Sequence, residues 1–116
     1  MEKIVEQGLL YDFYGELLTK HQKQIYEAAV YDDMSLSEIA DEHGISKQGV
    51  HDLIKRCTKT LQGYEDRLHM IRRFEAIKES AEELRSISDT SHDMTNDELR
   101  KNLSIISSRI LEELNS

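Results

Sequence analysis

Apolar side chains recur along this chain at three- and four-residue intervals, and no stretch shows the one-in-two Val/Ile/Thr alternation of a half-buried strand. Over residues 2–18, Ile4, Val5, Leu9, Leu10, Phe13, Tyr14, Leu17 and Leu18 make one broad apolar face and predict a first helix. Gly8 and Gly15 are expected to weaken that helix without ending it. Thr19 is a natural N-cap, and Gln22 three residues on completes a capping box for a second helix. Its buried stripe is Ile25, Tyr26, Ala29 and Val30, and Asp32-Asp33 marks its exit. Ser35 with Glu38 repeats the capping box and opens a short third helix with Leu36, Ile39 and Ala40 inward. Gly44 can take the left-handed conformation that closes a helix, Ile45 fills the turn, and Ser46 caps a fourth helix.

From Val50 to Ile87 helical spacing persists through Leu53, Ile54, Cys57, Leu61, Tyr64, Leu68, Ile71, Phe74, Ile77, Ala81 and Leu84. That is about ten turns at 3.6 residues each. Gly63 is the one candidate break, so a kink or a short interruption is expected near residues 62–64. Ser88–Met94 reads as a loop, Thr95 with Glu98 as a third capping box, and Leu99, Leu103, Ile106, Ile110 and Leu114 as a final amphipathic helix. The predicted fold is all-α. A compact helical unit over residues 1–62 is followed by a helical extension over 63–116, either part of the same globule or a dimerisation arm. The stripe from Leu61 to Ile87 is too long for this small core to cover. Either the last helix folds back on it or a second copy covers it, and a homodimer is expected.

Residues 35–61 carry the most specific pattern. Ala40 is small where two helices cross, Gly44 makes the turn, Ile45 fills the angle, and Val50 with Leu53 and Ile54 pins the second helix on the first. All four together predict a helix-turn-helix. In that geometry the early residues of the second helix point outward and can reach base edges. Here these are Lys47, Gln48, His51 and Asp52, with Lys55, Arg56 and Lys59 further along for phosphates. Gln reads adenine bidentately, Lys reads guanine or a phosphate, and the helix N-terminus capped by Ser46 offers free amides to a phosphate.

Charge qualifies this reading. The chain of 116 residues carries a formal −8, and each half contributes −4. A polyanion is bound by local positive charge, and between Lys47 and Thr60 there are Lys47, Lys55, Arg56 and Lys59 against Asp52 alone. The same shape also serves to bind proteins, and an acidic surface suits a basic partner. The five histidines lie at no metal-ligand spacing on one helical face, and the single Cys57 falls on the apolar stripe without a catalytic partner. No phosphate loop, nucleophile elbow or metal signature occurs, so no enzyme, cofactor or metal is expected. No apolar run approaches the ~20 residues of a membrane span, and Met1–Leu10 lacks a signal pattern. A cytoplasmic protein is expected.

Leu18-Thr19-Lys20-His21-Gln22-Lys23-Gln24-Ile25-Tyr26, Asp32-Asp33-Met34-Ser35-Leu36-Ser37-Glu38-Ile39-Ala40 and Gly44-Ile45-Ser46-Lys47-Gln48-Gly49-Val50 resemble region 4 of sigma-70-type factors, whose helix-turn-helix reads a promoter element. The match covers roughly residues 18–65, and the polymerase-binding region of a complete sigma factor has no room in this chain. Gly49 departs from the pattern, where a more helix-favouring small residue is usual, and loosens the helix by up to about 1 kcal/mol. With Leu9-Leu10-Tyr11-Asp12-Phe13-Tyr14-Gly15-Glu16-Leu17-Leu18-Thr19 and the acidic C-terminal helices included, the whole chain is similar to the YlxM family of small helix-turn-helix proteins of Gram-positive bacteria. That resemblance implies a regulatory or accessory protein of the signal recognition particle pathway, because the family's genes neighbour that of the particle's GTPase. It leaves open whether the target is DNA, the particle's RNA or the GTPase itself.

Overall fold

The computed structural model describes residues 2–115, which form six α-helices and no strand among the described residues. They are α1 (Lys3–Tyr14), α2 (Lys20–Val30), α3 (Leu36–His43), α4 (Lys47–Leu68), α5 (Met70–Thr90) and α6 (Asn96–Leu114). The chain divides between His69 and Met70 into two compact units.

In the N-terminal unit α4 is the central element and packs against each of α1, α2 and α3. Ile25, Ala28, Ile39, Ala40 and Val50 form the buried cluster where α2, α3 and α4 meet, and Leu36, Ile45, Leu53 and Ile54 close its edges. Capping fixes where the helices start. Thr19 accepts from the Gln22 amide (3.2 Å) and Gln22 returns the bond to the Thr19 amide (2.9 Å). Ser35 and Glu38 do the same at 3.1 Å each way. Each such cap contributes about 1 kcal/mol. Asp33, at φ 53°, lets the chain leave α2 and enter α3.

Polar contacts tie α1 in place. Thr58 donates to the Ile54 carbonyl (2.9 Å), so its oxygen is an acceptor for the Tyr26 hydroxyl (2.9 Å) and for the Gln7 amide (3.3 Å). Tyr11 stacks on Tyr26 and meets Tyr31 edge-on. Its hydroxyl donates to Glu27, and that of Tyr31 donates to Asp12. Partial burial, then the Asp12 carboxylate, push the Tyr31 phenol up to about 12, and burial with Glu27 raises Tyr11 as well. An unfolded tyrosine titrates near 10. The contacts therefore stabilise the fold fully below pH 10, and that contribution is lost as the pH climbs through the folded values. The melting midpoint should fall from pH 10 to 12. Tyr11→Phe/Tyr31→Phe should flatten that fall, and an unchanged slope in circular-dichroism melts would refute the linkage.

Four sequence expectations are corrected. The first helix ends at Tyr14 and a 3₁₀ turn follows over Gly15–Leu17; residue 15 is held to glycine by the Tyr11 ring, since a Cβ there would sit 2.9 Å from ring carbons. The interruption expected at residues 62–64 is absent. The α4 helix runs through Gly63 and stops at His69, which takes φ 54° and donates its amide to the Glu65 carbonyl (2.8 Å). The α5 helix continues to Thr90, so Ser88–Thr90 are helical and the loop is a 3₁₀ turn over Ser91–Asp93. Thr95 caps α6 by accepting from the Glu98 amide (3.1 Å), but the return bond of a capping box is not made.

In the C-terminal unit α6 folds back antiparallel on α5, joined by the short turn before Thr95. Ser80 of α5 and Ile106 of α6 are buried, and Ile106 shares a hollow with Glu83, Ser86 and Ile87 of α5. Arg109 Nη1 donates to both Glu83 oxygens at 2.9 and 3.0 Å, clasping the pair. No helix among the described residues is long and apolar enough to cross a membrane.

Candidate nucleic-acid interface

The helix-turn-helix is assembled by α3, its turn and the first half of α4. Gly44 takes φ 65° and donates its amide to the Ala40 carbonyl. Ile45 donates to the same carbonyl (3.2 Å) while its side chain packs against the α2–α3–α4 cluster. A β-branched residue at 44 would be strained there. Ser46 Oγ accepts from the Gly49 amide at 2.9 Å. A Cβ at residue 49 would stand 3.0 Å from that oxygen, so Gly49 gives the cap room. The propensity it costs the helix is offset by a tight start.

Lys47, Gln48, His51, Asp52, Lys55, Arg56 and Lys59 are all exposed along α4. They do not act as one patch. Lys47, Gln48 and His51 border a shallow hollow against Leu36, with a volume of about 480 Å³. His51, Lys55 and Lys59 border a larger cleft of about 690 Å³. Arg56 and Asp52 border neither. Arg56 stands about 100° around the helix axis from Lys55. Asp52 engages two of the candidate readers: Gln48 Nε2 donates to Oδ1 (2.9 Å), and His51 Nδ1 lies 3.5 Å from the same oxygen. In the isolated chain Gln48 is therefore held by a carboxylate at the position where it would meet a base.

Two features are invisible in the sequence pattern. The large cleft also takes Lys3 and Gln7 from α1, some fifty residues away in sequence. Their only sequence signal is position on a helix whose packing partner the pattern does not name. The His21 and His43 rings are also brought together edge-to-face with centroids 5.9 Å apart, by the packing of α2 on α3. No group of three or more potential metal ligands forms among the described residues. Cys57 is buried, and that burial raises its thiol pKa against the opposing pull of Arg56, the reverse of an activated nucleophile.

Comparison with known proteins covers the same elements. A family model described as "Putative helix-turn-helix protein, YlxM / p13 like" matches residues 1–103. The UPF0122 protein of Clostridium botulinum is 40% identical over 106 residues, covering 85% of this chain and 97% of that protein. The UPF0122 protein YlxM of Bacillus subtilis is 38% identical over 91 residues, covering 78% and 83%. The UPF0122 protein of Acetivibrio thermocellus is 44% identical over 84 residues, covering 72% of each chain.

Proposed function

We propose, from the premise that this chain belongs to the YlxM/p13-like family of helix-turn-helix proteins, that it is a nucleic-acid-binding regulatory or accessory protein of the signal recognition particle pathway. The observation that carries the nucleic-acid reading is the row formed by Lys47, His51, Lys55 and Lys59 along the two hollows of α4, on a chain that is otherwise acidic. Positive charge gathered on one face is what binding a phosphate backbone demands. Ser46, Lys47, Gln48 and His51 would meet bases or the nearest phosphates. Lys55 and Lys59 would meet phosphates on one side of the helix, and Arg56 those on the other. The pathway assignment rests on the resemblance to YlxM proteins alone.

Lys55→Glu with Lys59→Glu should weaken retention of duplex DNA or of the particle's RNA at low salt by at least about tenfold and lower the salt slope by about two. Unchanged retention sinks the reading. Asp52→Ala should do the opposite, releasing Gln48 and removing one repelling charge. Affinity should rise on the order of three- to tenfold, read by fluorescence anisotropy, and an unchanged or weaker affinity would show that Asp52 does not restrain the interface.

A second reading has its own observation. The formal charge of −8 favours a basic protein over a polyanion, and the partner would be the particle's GTPase, bound without nucleic acid. Retention of the purified GTPase in the absence of RNA would support it, and retention only with RNA would support the first reading. In either case we place the working form as a homodimer through the C-terminal unit.

A further inference from the structure

We propose that the cleft between the start of α1 and the middle of α4 is a phosphodiester-binding site that carries the nucleic-acid interface beyond the helix-turn-helix, with Lys3 as its added contact. The proposal rests on the nucleic-acid reading above and deepens it. Lys3, Lys55 and Lys59 converge on this cleft from two helices. None of the three makes an ion pair or a hydrogen bond among the described residues, whereas Lys23 is paired with Glu16 and Arg109 with Glu83. What sets this hollow apart is that three ammonium groups gather around it on a chain of formal charge −8, making a local positive field. The one acid at the cleft is Asp66, at its far end, and its carboxylate already accepts from Gln62 (2.9 Å).

The cleft has a built wall. The Gln7 amide, bound to Thr58, sets the start of α1 beside α4, so Lys3 is positioned by packing and not by chance. Leu36 and Ile54 supply a half-buried apolar floor on which a sugar can rest. The occupant is a nucleic-acid strand and not a single small phosphate ester, because the cleft does not end at Lys55. It shares Leu36 and His51 with the hollow at Lys47 and Gln48. From Lys47 to Lys59 is about 18 Å of helix, long enough for several consecutive phosphates of one strand at ~3.4 Å of duplex axis each. One phosphate would be satisfied by two neighbouring cations.

The test is an anisotropy titration of labelled duplex DNA and of a structured RNA with the full chain, comparing Lys3→Glu with Lys20→Glu. Lys20 is an exposed cation of the same unit that borders neither hollow, so it controls for net charge. A glutamate in the first turn of α1 favours the helix dipole, so Lys3→Glu should fold. Lys3→Glu is expected to weaken binding about tenfold and reduce the slope of log K against log salt by about one, while Lys20→Glu stays within about threefold. If the parent chain binds and the two variants behave alike, the cleft is not part of the interface, although the helix-turn-helix reading stands. If the parent chain binds neither nucleic acid at low salt, both fall. Displacement of the labelled strand by millimolar mononucleotide would overturn the strand as occupant.

Discussion

Replacing Ile39 by alanine is expected to destabilise the N-terminal unit by about 2–5 kcal/mol and to lower its melting midpoint by roughly 10–30 °C. Ile39 is fully buried in the cluster it shares with Ile25, Ala28, Ala40 and Val50, so its removal leaves a cavity that three helices would have to collapse around. A fold of this size holds only about 0.05–0.15 kcal/mol per residue, and such a loss is a large part of the whole. The functional consequence comes from where Ile39 sits. It is on α3, and α4 carries the candidate contacts, so the α3–α4 packing sets where those side chains point. Nucleic-acid retention should therefore fail at temperatures where the parent chain still binds. Ser37→Ala, on the exposed face of the same helix, should change neither property measurably. A midpoint for Ile39→Ala within about 3 °C of the parent would mean that the cluster does not hold the helix-turn-helix.

What could be read from the sequence was what is local. The Thr19 and Ser35 capping boxes, the left-handed Gly44 and the Ser46 cap each depend on residues within four positions of one another. They appear as the spacing implies. The need for glycine at residue 15 was not legible, because nothing in Gly15 itself distinguishes a tolerated glycine from a required one, and the requirement comes from the Tyr11 ring lying over it. The break after α4 was misplaced for the converse reason. Gly63 looks like a helix breaker but occupies an open helical position, where an added Cβ would meet nothing within 4 Å. His69, in contrast, gives no local sign of adopting a positive φ. Burial of Ala28 was missed because α2 is covered from three sides, by α1, α3 and α4, and a single-stripe reading allows for one. The charged residues of α4 were found, but their division into a row along two hollows, a separate Arg56 and an Asp52 that holds Gln48 is a property of packing. The contribution of Lys3 depends entirely on which helix lies beside α4.

The full chain should run in light scattering at micromolar concentration with twice its 13.5 kDa mass, and Leu111→Glu with Leu114→Glu should return it to the single mass. Within the C-terminal unit α5 and α6 bury only Ser80 and Ile106 thoroughly, while Leu103, Leu111 and Leu114 remain 41%, 56% and 61% exposed. At 100° per residue these three leucines fall within about 80° of one another on α6, so they make a continuous flank and not scattered exceptions. Ile77 and Leu84 of α5 are only half covered. Two helices of about 30 Å lying about 10 Å apart offer a face of roughly 600 Å², close to the ~800 Å² per partner of a standard stable interface. A second hairpin of the same kind would complete a four-helix bundle. Because both leucines are exposed in the single chain, the double glutamate variant should keep its helical content, and dissociation would not be confused with unfolding. Two linked interfaces on one strand bind more tightly than either alone. The monomeric variant should therefore also lose at least about tenfold in nucleic-acid affinity, although none of its changes touches α4. A parent chain of single mass at micromolar concentration would refute the dimer, and a dimeric double variant would place its interface elsewhere.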